Sequence, residues 1–75
     1  MKTSEAWLKT AATRGRWMAW YTQANRPLCD GDRLPDGELD RLEKCYGPAN
    51  VTDELIAAYR HGFNLYICLH THGDD

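Results

Sequence analysis

The chain has 75 residues, a formal net charge of −2 at pH 7 and a hydrophobic fraction of 43%. This length predicts one domain over residues 1–75, and this apolar content excludes an intrinsically disordered chain. The longest apolar stretches are too short to span a membrane, and the first residues lack the apolar run of a secretory signal. We therefore expect a cytoplasmic protein with no membrane partner.

Charge is unevenly distributed along the chain. Residues 1–27 carry five Lys and Arg against one Glu, a net +4, whereas residues 28–75 carry four Lys and Arg against ten acids, a net −6. This asymmetry predicts attraction between the two parts within the fold, or a charged surface that faces a partner. The acidic stretch between residues 30 and 43 suits a basic protein surface better than DNA.

The first predicted helix begins at Thr3 or Ser4, either of which can cap its first turn. It ends near residues 25–26, because Pro27 disfavours helical geometry in the residue before it. Gly15 lies in the middle of this helix, where it costs about 1 kcal/mol relative to Ala. Since Gly15 falls on the apolar face, we expect a continuous helix that crosses another helix closely at this residue, and a local break over residues 13–15 is the alternative.

The aromatic residues of this helix divide between two faces. At about 100° per residue, Trp7 and Met18 fall on the apolar face and Tyr21 falls at its edge, which predicts that all three form the core. Trp17 also lies at the edge, and Trp20 lies opposite the core, where only a second surface can cover it. Trp, Tyr, Met and Arg are enriched at interface centres. The predicted partner-binding set combines this helix with the acidic loop: Arg16, Trp17, Trp20, Asp30, Asp32 and Asp36.

The rest of the chain alternates between turn signals and helical spacing. Residues 27–37 predict a loop, because Asp-Gly and Pro each occur twice in it. A short helix follows over about residues 37–46, and Gly47 followed by Pro48 predicts its end. Thr52 can cap the last helix, in which apolar residues recur at helical spacing from position 55 onward.

Residues 63–70 also alternate as a half-buried strand would, with Gly62 as the end of a preceding helix. No other segment predicts a strand to pair with them, and an unpaired strand leaves its backbone polar groups unsatisfied. We therefore expect an all-α fold of three helices in which the long first and last helices pack antiparallel. An α+β fold with a strand over residues 63–70 is the alternative.

Chemistry-bearing residues are few. Three widely spaced cysteines predict reduced, buried or half-buried thiols rather than a disulfide framework. Structural zinc sites usually combine two separate pairs of closely spaced ligands. This chain has only one closely spaced group of Cys and His, which comprises Cys68, His70 and His72. An EF-hand loop needs an oxygen ligand at its fifth position and a glycine at its sixth position, and the loop that starts at Asp30 has neither. The sequence therefore predicts no metal, no cofactor and no catalytic site.

A small helix-turn-helix regulator is the alternative function. However, six residues separate the second and third predicted helices, which is longer than the usual turn of three or four. Asp53 and Glu54 would also repel DNA phosphates from the start of the last helix. We therefore do not expect direct binding to nucleic acid.

In its size, its unpaired cysteines, its Trp- and Arg-rich first helix and its acidic second half, the chain resembles small accessory proteins of temperate phages. These include anti-CRISPR proteins and phage inhibitors of host transcription regulators. The resemblance implies a non-catalytic inhibitor that binds a host protein, often as a homodimer, and blocks its working surface. Either the Trp-rich helix would cover that surface or the acidic loop would face a basic nucleic-acid channel. A domain this small also gains stability by pairing with a second copy.

Overall fold

The computed structural model of the chain describes residues 4–29 and 31–72. These residues form three α-helices, α1 (Glu5–Tyr21), α2 (Glu38–Tyr46) and α3 (Asp53–His72), with a 3-10 turn over Pro48–Asn50. The all-α prediction is confirmed, and the alternative strand over residues 63–70 is wrong because these residues continue α3. Within the described ranges, no helix is both long enough and apolar enough to cross a membrane.

Helices α1 and α3 pack antiparallel and cross at two glycines. Gly15 of α1 lies against the backbone of Tyr59, and Gly62 of α3 lies against the backbone of Ala12. A Cβ atom at Gly15 would overlap the carbonyl oxygen of Tyr59, and one at Gly62 would overlap the carbonyl oxygen of Ala12. The close crossing expected at Gly15 is confirmed. Gly62 does not end a helix, because α3 continues through it. It lies at the same crossing, where the absence of a side chain lets α1 approach closely.

The core lies between α1 and α3, with one residue from α2. Met18 is buried as predicted, whereas the core prediction for Trp7 and Tyr21 is wrong, since they are 37% and 63% exposed. The small residues at the crossing bring the two helices so close that these large rings lie outside the contact. The buried apolar residues are Ala11, Met18, Ala19, Leu42, Leu55, Tyr59, Phe63 and Ile67.

Helix α1 ends at Tyr21, earlier than predicted. The N–H of Gln23 donates to the carbonyl of Trp20 (3.1 Å), and the N–H of Ala24 donates to the carbonyl of Ala19 (2.9 Å). With Gln23 in a left-handed conformation (φ 52°), these bonds form a Schellman motif. Ala24 packs against the core, so this C-terminal cap ends the helix before Pro27 can do so.

The start of α1 and the start of α3 differ in their capping. Ser4 occupies the N-cap position of α1, but its side chain makes no capping hydrogen bond. At α3, the Thr52 hydroxyl accepts a hydrogen bond from the N–H of Leu55 (3.3 Å), as predicted. Gly47 ends α2 with a positive φ of 91°, also as predicted.

A side chain of α3 hydrogen-bonds to the loop between α1 and α2. The amide oxygen of Asn64 accepts a hydrogen bond from the N–H of Leu28 (2.6 Å), and its amide nitrogen donates to the carbonyl of Leu28 (2.8 Å). This pair of bonds satisfies both backbone polar groups of Leu28. The loop is therefore anchored near the middle of α3, and α2 follows from that anchor.

Candidate functional site

Three aromatic side chains contact one another on the exposed side of α1, and we call them the aromatic face: Trp17, Trp20 and Tyr21. The Trp17 and Tyr21 rings are stacked, with centroids 5.0 Å apart and planes inclined by 10°. The Trp20 ring packs against Trp17 at 6.3 Å with planes inclined by 50°. Trp17 is 43% and Trp20 57% exposed. Such a set of exposed aromatic rings is typical of a binding surface rather than of a solvated helix.

A groove of about 330 Å³ lies beside the aromatic face. Four of its lining residues come from α1 (Thr13, Arg16, Trp17 and Trp20), and Tyr66 of α3 completes it. The structure therefore brings together three of the six residues predicted to bind a partner, Arg16, Trp17 and Trp20. The groove offers indole rings for an apolar side chain and a guanidinium for an acidic group or a carbonyl oxygen.

The acidic residues predicted for the same set are not part of this groove. Asp30 lies outside the described residues. Asp32 and Asp36 line a second hollow, of about 540 Å³, whose walls come from residues 31–60. The Asp32 carboxylate also accepts a hydrogen bond from the N–H of Cys29 (2.8 Å), which closes a local turn. Asp32 and Asp36 therefore lie on a different surface from Arg16, Trp17 and Trp20, and their role in binding a partner stays a prediction.

A buried carboxylate, which the sequence did not single out, joins the three helices. Glu38 of α2 is 4% exposed. Arg14 of α1 donates to both of its oxygens, from Nε to Oε1 (2.9 Å) and from Nη2 to Oε2 (3.1 Å). The hydroxyl of Tyr59 on α3 donates to Oε1 (2.9 Å), and Nε of Arg41 lies 3.9 Å from Oε2. Attraction between the basic first part and the acidic second part of the chain is thus present in the Arg14–Glu38 ion pair.

The protonation states of this network follow from its contacts. Burial alone would raise the pKa of Glu38, but hydrogen bonds from Arg14 and Tyr59 and the positive charges of Arg14 and Arg41 lower it below its ordinary value of 4.5. Burial, followed by the hydrogen bond to Glu38, raises the pKa of Tyr59. The hydrogen bond to Glu38 raises the pKa of Arg14. At neutral pH the site therefore holds a carboxylate, a guanidinium and a protonated phenol.

Arg14 connects this network to the aromatic face. Its Cζ lies 4.6 Å from the centroid of the Trp17 ring, a cation–π contact. One guanidinium thus contacts both the buried carboxylate and an exposed indole. A sequence signal for Glu38 existed, since it stands four residues before Leu42 and therefore shares the apolar face of α2. Several acidic residues lie close to Glu38 in the sequence, and the sequence alone does not distinguish the buried carboxylate from the exposed ones.

The cysteines are free, as predicted, but the prediction that they are buried or half-buried is wrong. Cys29, Cys45 and Cys68 are all exposed, because Cys29 lies in a loop and the other two lie on outward sides of α2 and α3. Within the part of the chain that the structure describes, no group of three or more His, Cys, Asp and Glu could hold a metal ion. The side chains of His70 and His72 lie outside that part.

Comparisons of the chain with protein-family models, with curated proteins and with solved structures find no match. The aromatic face and its groove combine exposed rings, a cavity and a cation at one place on the described surface.

Proposed function

We propose that the protein is a non-catalytic inhibitor that binds a host protein through the aromatic face and its groove. By occupying the working surface of a host complex, it acts as anti-CRISPR proteins and other small phage inhibitors do. The supporting observation is that Arg16, Trp17 and Trp20 line one exposed groove. Trp and Arg account for a large share of the binding energy at protein interfaces, which supports assigning the interface to this side of α1.

The chemistry of the groove suits a partner surface that places an apolar side chain beside an acidic one. The indole rings of Trp17 and Trp20 contribute apolar area, and Arg16 contributes a positive charge at the rim. Lys9 adds a second exposed cation on the same helix. We favour steric cover by the Trp-rich helix over an acidic loop in a nucleic-acid channel, because the groove combines exposed indole rings with a cation, whereas the Asp32 carboxylate is hydrogen-bonded within its own loop.

In the same proposal, two copies of the chain pair through α3 and leave the aromatic face free for the host protein. Leu65 and Leu69 lie four residues apart on α3 and are 41% and 55% exposed. Residues 61–72 include no Lys, Arg, Asp or Glu, so a two-fold contact there opposes no like charges. A two-fold contact through α1 would bring Arg16 of each copy towards the other. A Leu65→Ala/Leu69→Ala variant should shift the dimer towards monomer in a sedimentation experiment. The pairing would be contradicted if the unmodified protein sediments as a monomer at high micromolar concentration.

The arrangement of α2 and α3 gives little support to a DNA-binding regulator. The connection between them includes a 3-10 turn, and Asp53 and Glu54 are exposed in the first turn of α3. Carboxylates at that end repel the phosphates that provide most non-specific affinity. We expect negligible duplex binding in a gel-shift series at physiological salt. Tight and strongly salt-dependent binding would favour the regulator instead.

The test of the inhibitor proposal is a capture experiment with matched variants. Unmodified protein, a Trp17→Ala/Trp20→Ala variant and a Leu39→Ala variant are immobilised and exposed to a bacterial lysate. Leu39 is an exposed leucine of α2 (45%) outside the groove, so its variant controls for general loss of apolar surface. We expect a host protein that is retained by the unmodified protein and by Leu39→Ala but lost by the double variant.

The captured protein is then purified and its affinity measured. Interface hot spots contribute about 2 kcal/mol or more each, so removing Trp20 alone should weaken binding by about 30-fold or more. Equal capture by the unmodified protein and by the double Trp variant would contradict the proposed function.

A further inference from the structure

Glu38 and the aromatic face are linked through a single side chain. The Arg14 guanidinium makes two hydrogen bonds to the Glu38 carboxylate, at 2.9 and 3.1 Å, and lies 4.6 Å from the centroid of the Trp17 ring. Trp17 in turn stacks on Tyr21. From this continuous set of contacts we infer that Glu38 is a positioning residue for the aromatic face, which fixes the Trp17 ring through Arg14. The inference rests on the proposed function, because it concerns the same surface.

The geometry explains why Arg14 needs Glu38 for this role. An arginine on a helix surface samples many rotamers, and the cation–π contact alone is weak at an exposed site. Two parallel hydrogen bonds to one carboxylate fix the plane of the guanidinium as well as its position. The carboxylate cannot follow Arg14 outward, because Glu38 is buried on the side of α2 that also buries Leu42. The buried Glu38 carboxylate therefore fixes the position of the Arg14 guanidinium.

A held Arg14 restricts Trp17. The Trp17 ring contacts the guanidinium of Arg14 and the ring of Tyr21, one turn before it and one turn after it along α1. An indole that is already ordered before binding loses less conformational entropy in a complex. In this arrangement α2, which does not line the groove, still determines how the groove presents one of its two indoles.

The experiment measures the three indole N–H signals of the uniformly ¹⁵N-labelled chain by NMR. Glu38→Gln preserves the shape of the side chain and an acceptor for Tyr59, but it removes the charge and one acceptor of the Arg14 pair. We expect the Trp17 signal to shift and its ¹⁵N heteronuclear NOE to fall. The Trp7 signal should be unchanged, because Trp7 packs on Tyr46 of α2 (5.3 Å between centroids) and so reports whether α2 stays docked.

Tyr59→Phe is the matched control, since it removes the other hydrogen bond to Glu38 and leaves the Arg14 pair in place. This control should not change the Trp17 signal. Equal changes at Trp17 in Glu38→Gln and Tyr59→Phe, or a simultaneous change at Trp7, would show general loosening and overturn the inference. If Glu38→Gln does not fold, Arg14→Lys replaces it, because the Arg14 side chain is 27% exposed and lysine keeps the charge without the two-pronged geometry.

An unchanged Trp17 signal and NOE in Glu38→Gln, or in Arg14→Lys where that variant takes its place, would also overturn the inference. This failure is distinct from failure of the proposed function. The NMR result does not need a partner, whereas the capture experiment depends on Trp17 and Trp20 as contacts. A Trp17 response together with undiminished capture by the double Trp variant would support the positioning role and refute the proposed function.

Discussion

Replacing Gly15 with alanine tests the helix crossing that organises the fold. In an isolated helix this change is favourable by about 1 kcal/mol. In the protein, the new Cβ would overlap the carbonyl oxygen of Tyr59, lie 2.9 Å from its carbonyl carbon and lie 3.2 Å from the backbone nitrogen of Phe63. All three neighbours are backbone atoms, so no change of rotamer can relieve the overlap. Helices α1 and α3 would have to separate.

The size of the effect follows from two opposing contributions. Overpacking a well-packed core typically costs about 1–3 kcal/mol, and separating the helices also loosens the packing around Met18, Tyr59 and Phe63. Loss of such contacts costs on the order of 2–5 kcal/mol. Separating the helices relieves the overpacking strain, so the two costs do not add. After the helix-propensity gain of about 1 kcal/mol is subtracted from the loss of about 2–5 kcal/mol, we expect Gly15→Ala to lower the free energy of unfolding by about 1–4 kcal/mol.

Urea and thermal unfolding followed by far-UV circular dichroism measure this change. For a domain of this size, about 1–4 kcal/mol corresponds to a decrease in Tm of roughly 4–30 °C. Gly62→Ala should behave similarly, because its Cβ would meet the backbone of Ala12. Ala57→Gly, on an exposed side of α3, is the control and should cost only about 1 kcal/mol. A Gly15→Ala variant as stable as the unmodified protein would refute the close crossing.

Three further predictions concern the cap, the buried network and the exposed indole of Trp7. Gln23→Gly should raise the stability by about 0.5–1 kcal/mol, because glycine adopts the left-handed conformation (φ 52°) without strain; a lower Tm would contradict the cap. The pKa of Glu38 is lowered in the folded state, so the stability of the protein should fall as the pH decreases below 4.5. The pKa of Tyr59 is raised in the folded state, so the stability should also fall as the pH rises above 10. Thermal melts across this range should show the acid decrease weakened in Glu38→Gln, and an unchanged acid decrease would exclude Glu38 as its source. Trp7→Ala should cost only about 1–2 kcal/mol in urea unfolding, since the ring is 37% exposed and pairs with Tyr46; a loss above 3 kcal/mol would place Trp7 in the core after all.

Local chemistry was sufficient to predict the helices themselves. The spacing of the apolar residues in α3 requires only that one side of a helix be buried, and Thr52 and Gly47 act within one turn of their own positions. The exposure of Trp20 was also predictable, because a residue opposite the apolar face has no core to enter in a three-helix fold. Trp17 and Trp20 of the candidate site could therefore be found from the sequence, whereas Tyr21, which was predicted to lie in the core, could not.

Tertiary packing decided the features that depend on distances between helices. Gly62 could end a helix or permit a crossing, and only the position of Ala12 on α1 selects the crossing. The same close approach leaves Trp7 outside the core, although its place on the helical wheel predicts burial. Glu38 is one of several acids in sequence, and it becomes the buried one because Arg14 and Tyr59 converge on it from two other helices. A helical wheel describes one helix, whereas the burial of a charge depends on which partners a second and a third helix bring to it.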